Sequence, residues 1–99
     1  MASREPVEVY GTIYQIAPIE SGLQKVSTLN TYPAAGSTPS VPIDDRLVLN
    51  IQQSAYPRPI PVELNTPITA KGYYTPKTAT SMAYVNRIFE IKYKGVIYK

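Results

Sequence analysis

Nine tyrosines and ten lysines and arginines are the residues of this 99-residue sequence whose types and spacing suit chemistry. In the second half they interleave, with Arg58, Lys71, Tyr73, Tyr74, Lys77, Tyr84 and Arg87 in close succession. A phenol ring is a planar face on which a base stacks, each stack being worth about 1–3 kcal/mol, and cations alongside follow phosphates. That chemistry is recognition, not catalysis. The chain has no cysteine and no histidine, which removes disulfides, thiolate metal sites, cysteine nucleophiles and the usual general base together. Asp44-Asp45 reads as the polar end of a loop before a strand, and Glu63 and Glu90 stand alone in strands. No glycine-rich phosphate loop, nucleophile elbow or triad is present. No enzyme, no cofactor and no metal is expected.

Charge is distributed unevenly. Residues 1–45 carry two cations against five carboxylates, whereas residues 46–99 carry eight against two. Such asymmetry suggests a basic face for a polyanion, with a solvated lysine surface as the plain counter-reading. Tyrosine, likewise, favours strands and half-buried surfaces for packing alone. Apolar residues make up 43% of the chain and charged ones only 17%, the balance of a folded domain with one modest core rather than of a disordered chain. No run approaches the roughly 20 apolar residues that span a bilayer, and the first six residues lead into no apolar signal core. A soluble protein without membrane insertion is expected, and the lack of cysteine fits a reducing compartment such as the cytoplasm, or a virion.

The elements that must position these side chains read as strands. Residues 6–19, PVEVYGTIYQIAPI, alternate apolar and polar through Val7, Val9, Gly11 and Ile13. The phase slips after Ile13, and mid-strand Gly11 marks a bulge or bend. Residues 21–45, rich in Ser, Thr and Pro, read as a long loop or arm, with a possible strand at residues 25–29. RLVLNIQQ, residues 46–53, is the cleanest alternation in the chain. In YPRPIPVEL, Ile60, Val62 and Leu64 point one way while Pro57, Pro59 and Pro61 occupy the odd neighbouring positions; prolines spaced by two fit an edge strand whose missing N–H groups face outward. ITAKGYY gives a further strand kinked at Gly72, TPKTATSM a loop, and residues 83–93 a long closing strand with a bulge, for which a helix over residues 84–94 is the competing reading. Lys94-Gly95 turns the chain into a short final strand, VIY.

Five strands with a bent first strand and a long first connection are the ingredients of a small all-β, five-stranded Greek-key barrel of the OB type, spanning residues 1–99 as one domain. A small sandwich is the other architecture open to them. The segment VEVYGTIYQIAPIESG, followed in order by RLVLNIQQ, PIPVEL, ITAKGYY and YVNRIFEI, resembles small single-stranded DNA-binding proteins of the OB-fold family over about residues 6–93. It departs from them in two respects: only Asn65-Thr66-Pro67 separates what read as the third and fourth strands, and the chain has no Trp and one Phe on which to stack bases. The resemblance implies single-stranded nucleic acid, DNA in the first place, as partner. Pairing of that kind would bring Tyr10, Tyr14, Asn50, Gln52, Arg58, Lys71 and Tyr73 onto one concave face, with Tyr74 and Lys77 near the loop before the closing strand and Tyr84 and Arg87 on its far side. An alternative class is a structural protein of a virion or other assembly, acting through protein–protein contacts or as a homo-oligomer, with residues 21–45 as the docking arm.

Overall fold

The computed structural model describes residues 6–33 and 45–99. Six strands form in chain order: β1 (Val7–Ile16), β2 (Leu23–Pro33), β3 (Leu47–Gln52), β4 (Pro67–Thr75), β5 (Tyr84–Tyr93) and β6 (Val96–Tyr98). Antiparallel pairing runs β3-β2-β1-β4-β5, and a parallel contact of Val48 with Tyr84 and Leu49 with Val85 joins β3 to β5 and closes the sheet. The result is the expected five-stranded OB-like barrel, with β6 added on the outer side of β5.

Alternation in the sequence becomes inside and outside here. Along β3 and β4 every second side chain is buried, so Leu47, Leu49, Ile51, Ile68 and Ala70 meet Val7, Val9, Ile13, Val26, Val85 and Ile91 in one core. Two glycines let the strands curl. A Cβ on Gly11 would lie 2.8 Å from Thr31 Oγ1, and one on Gly72 would lie 2.8 Å from the Asn86 carbonyl oxygen; only glycine admits such approaches at a barrel bend. The phase slip read after Ile13 is a register shift between Ile13 and Gln15 against Thr28 and Ser27. Another shift, in the β4–β5 pairing, sets the residues around Arg87, whose φ is 52°, opposite Gly72. Residues 84–93 are strand, not helix.

Two expectations are corrected. Residues 21–45 are not one loop between the first two strands: Leu23–Pro33 is β2, and 34–44, with the rest of the proposed arm and Asp44, lie outside the described residues. Residues 56–64 are not an edge strand. They belong to a link, 53–66, that begins with a 3-10 turn over Gln53–Ala55 and carries Tyr56 and Ile60 into the core. With prolines at 57, 59 and 61 the segment has too few N–H donors for a ladder, and the backbone bond within it is a tight one, Val62 N–H to Ile60 C=O. Side chains hold it instead. Gln53 Nε2 donates to Gln24 Oε1 at 2.6 Å and to the Ile60 carbonyl at 3.2 Å, while the Ile60 N–H donates to Gln53 Oε1 at 2.8 Å. Residues 46–53 thus hold β3 rather than the second strand, and a 14-residue link, not Asn65-Thr66-Pro67 alone, joins it to β4.

Candidate nucleic-acid interface

Three adjoining hollows run along the outer surface of β2 and β3. One lies at the β1–β2 turn (residues 17–22) and is bounded by Glu20, Leu23 and Lys25. The middle one, of about 300 Å³, is lined by Lys25, Val48, Asn50, Ser81, Met82 and Tyr84. The last, beside the β4–β5 loop (residues 76–83), is lined by Asp45, Arg46, Lys77, Met82 and Ala83. Lys25 joins the first to the second and Met82 the second to the third, so together they make one shallow groove. In OB-type barrels the face of the second and third strands, between these same two loops, is where oligonucleotides and oligosaccharides bind.

Strand register fixes the groove floor. Asn50 stands opposite Lys25 on β2, and Val48 stands opposite Tyr84 on β5; all point outward because Leu47, Leu49, Ile51 and Val85 between them point in. Two residues along a strand are about 7 Å and neighbouring strands about 5 Å apart, so the Lys25–Asn50 and Val48–Tyr84 rows lie side by side. Asn50 Oδ1 has neither contact with solvent nor a hydrogen-bond partner among the described residues. An unpaired buried acceptor costs about 1–3 kcal/mol, which the floor sustains.

The structure does not bring all the sequence-predicted residues together. Asn50, Lys77 and Tyr84 line the groove. Gln52 lies at its β1–β2 end, opposite Leu23, with Nε2 donating to Ser54 Oγ at 2.8 Å. Tyr14, half-buried at the β1 bulge opposite the Ser27–Thr28 step, is one strand away. Tyr73 pairs with Asn86 on the far side of β5, and Tyr10 pairs with Thr69 on β4. Tyr74 is corrected outright: its ring is 4% exposed and part of the core. Lys71 belongs to another surface, paired opposite both Glu8 and Glu90 and set 5.8 Å over the Phe89 ring. Arg58 is exposed on the link at the barrel end, and Arg87 is exposed at the β5 bulge. A single concave face holding all of them is therefore replaced by a smaller groove.

Lys25, Arg46, Val48, Ser81 and Met82 are among the lining residues that sequence reasoning missed. Lys25 was lost with β2, whose inward positions Gln24, Thr28 and Thr31 are polar and so conceal the period-two pattern. The signals present were the run of Val, Ser and Thr after a Ser21-Gly22 turn. Thr28 satisfies its buried hydroxyl by donating to the Leu47 carbonyl at 3.0 Å, beside Thr31 Oγ1 at 2.7 Å.

Electrostatically the groove is mildly cationic. Lys25, Arg46 and Lys77 have no ion-pair partner among the described residues, while Glu20 and Asp45 sit at its two ends. The ion pairs that are formed lie elsewhere: Lys92 with Glu8 at 3.6 Å, and Lys94 with Glu63 at 2.8 Å, a bond that raises the Lys94 pKa. Tyr56, whose hydroxyl donates to the Ile88 carbonyl at 3.2 Å, has its pKa raised by burial and is structural. No group of three His, Cys, Asp or Glu side chains gathers among the described residues, and no helix there is long and apolar enough to cross a membrane. Comparison of the chain with the models of known protein families, with curated proteins and with solved structures finds no match.

Proposed function

We propose that this protein binds single-stranded nucleic acid, DNA in the first place, in the groove between its β1–β2 turn and β4–β5 loop, without catalysis. The observation that carries the reading is the groove itself: Lys25, Arg46 and Lys77 are spaced along it, and Tyr84 and Asn50 form its floor. Cations without carboxylate partners are available to phosphates, an outward phenol is available for stacking, and the groove is open enough for a strand to pass through. Its central volume lies at the lower end of the usual range for ligand sites, about 300–1,000 Å³, which suits a base or two at a time. Fluorescence anisotropy of a labelled 15-nucleotide oligo-dT at low salt tests the reading. Saturable micromolar or tighter binding that weakens with salt is expected; no binding, or binding insensitive to salt, rejects it.

A second reading rests on a separate observation. β6 pairs with β5 alone among the described residues, and around it Phe89, Val96 and Ile97 are each between 44% and 55% exposed. An open strand edge with apolar side chains favours protein–protein contact, as in an assembly component. Light scattering at high concentration distinguishes the two: self-association abolished by Ile97→Lys supports this reading, and a monomer throughout counts against it.

A further inference from the structure

We infer that Asn50 is the base-reading residue of the groove: its amide hydrogen-bonds the edge of a base stacked on Tyr84, while Lys25 holds the neighbouring phosphate. This rests on the nucleic-acid reading above and goes further, since it makes the site one that recognises bases and not the backbone alone.

The argument starts from the orphaned Oδ1. Polar atoms taken out of water in a folded protein nearly always have a partner, and one that does not calls for an explanation. None of the side chains that share the hollow with Asn50, among them Val48, Met82 and Tyr84, hydrogen-bonds this atom. Gln52, the next outward polar side chain on β3, spends its amide on Ser54. The protein thus keeps an unpaired amide oxygen at the groove floor beside Tyr84, and the half-buried Asn50 side chain reaches a ligand with adjacent donor and acceptor by turning its amide toward the groove.

A base has that arrangement. Its edge carries neighbouring donors and acceptors that one amide matches with two hydrogen bonds, and in a single strand that edge is free. A ring stacked at the Val48–Tyr84 row has its edge over the Lys25–Asn50 row alongside, and Lys25, exposed and directly opposite Asn50, is placed for the phosphate. A backbone phosphodiester or a chloride ion satisfies Lys25 but has no proton to donate to Oδ1.

The experiment compares two labelled 15-nucleotide strands of equal charge, oligo-dC and a wholly abasic analogue, by anisotropy against wild type, Asn50→Ala and Asn50→Leu. Wild type is expected to prefer oligo-dC by about tenfold or more, from the stack and the paired amide together. Either substitution is expected to weaken oligo-dC by about tenfold and leave the abasic strand unchanged, since only the base edge loses its partner. Asn50→Leu, which removes the orphan, is expected to melt no lower than wild type, so loss of binding cannot be loss of fold. Equal weakening of both strands, or of neither, overturns the role of Asn50. Failure of wild type to bind either strand overturns the nucleic-acid reading instead, and the two failures are distinct.

Discussion

If the groove binds a strand through its cations, the salt dependence should count them. Each phosphate neutralised on a single strand contributes about −0.7 to the slope of log K against log salt. Lys25, Arg46 and Lys77 line the groove, so full engagement gives a slope of about −2.1, and raising salt from about 50 to 200 mM weakens binding about eighteenfold. Glu20 and Asp45 at the ends make this an upper bound. Replacing any one of the three cations by alanine should remove about 0.7 from the slope and cut the loss over that salt range to about sevenfold. Lys71→Ala and Lys92→Ala are the controls, because Lys71 sits opposite Glu8 and Glu90 and Lys92 pairs with Glu8. Both should leave the slope where it was. The assay is anisotropy at four or five salt concentrations for wild type, three groove variants and two controls. A wild-type slope near zero, or control variants that change it as far as the groove variants do, refutes the assignment of the groove.

The fold yields two further predictions. Gln53→Ala strips partners from the Ile60 N–H, the Ile60 carbonyl and Gln24 at once, and at about 1–3 kcal/mol for each buried group left unpaired it should cost about 3 kcal/mol or more in urea unfolding; a cost under about 1 kcal/mol means the network does not hold the link. Tyr56→Phe should cost about 0.5–1.5 kcal/mol near neutrality, by losing the bond to Ile88. Burial raises the Tyr56 pKa above its ordinary 10.0, so the unfolded chain releases the proton first, and the neutral phenol's contribution, complete below that value, is lost as pH rises past it. The wild-type advantage over Tyr56→Phe in urea midpoints should therefore shrink as pH rises above the ordinary tyrosine value of 10.0 toward the raised folded one, and a constant or growing gap contradicts the burial argument.

Much of the barrel could be read in the residues alone. β1 as far as Ile13, β3 and β4 alternate so cleanly that their inward set, Val7, Val9, Leu47, Leu49, Ile51 and Ile68, lies in the core observed, since side chains two apart on a strand must share a face. β2 could not be read this way, because Gln24, Thr28 and Thr31 face inward and find partners only once the link and β3 have packed beside them. Proline spacing in residues 56–64 gave the right local statement, a segment short of donors, and the wrong structural one, since an edge strand and a bent link outside the ladder look alike to the sequence.

Composition by itself removed thiolate and imidazole chemistry, since the chain has neither cysteine nor histidine, and left phenols and cations as the groups from which the proposed binding site is drawn. Which phenols and cations work together was decided by closure of the sheet. The parallel contact between β3 and β5 puts Tyr84 beside Val48, and the β2–β3 register puts Lys25 beside Asn50, while curvature carries Lys71 round to two carboxylates and turns Tyr74 inside. A period of two assigns each side chain to a face; only the pairing of strands distant in sequence sets which side chains become neighbours on it.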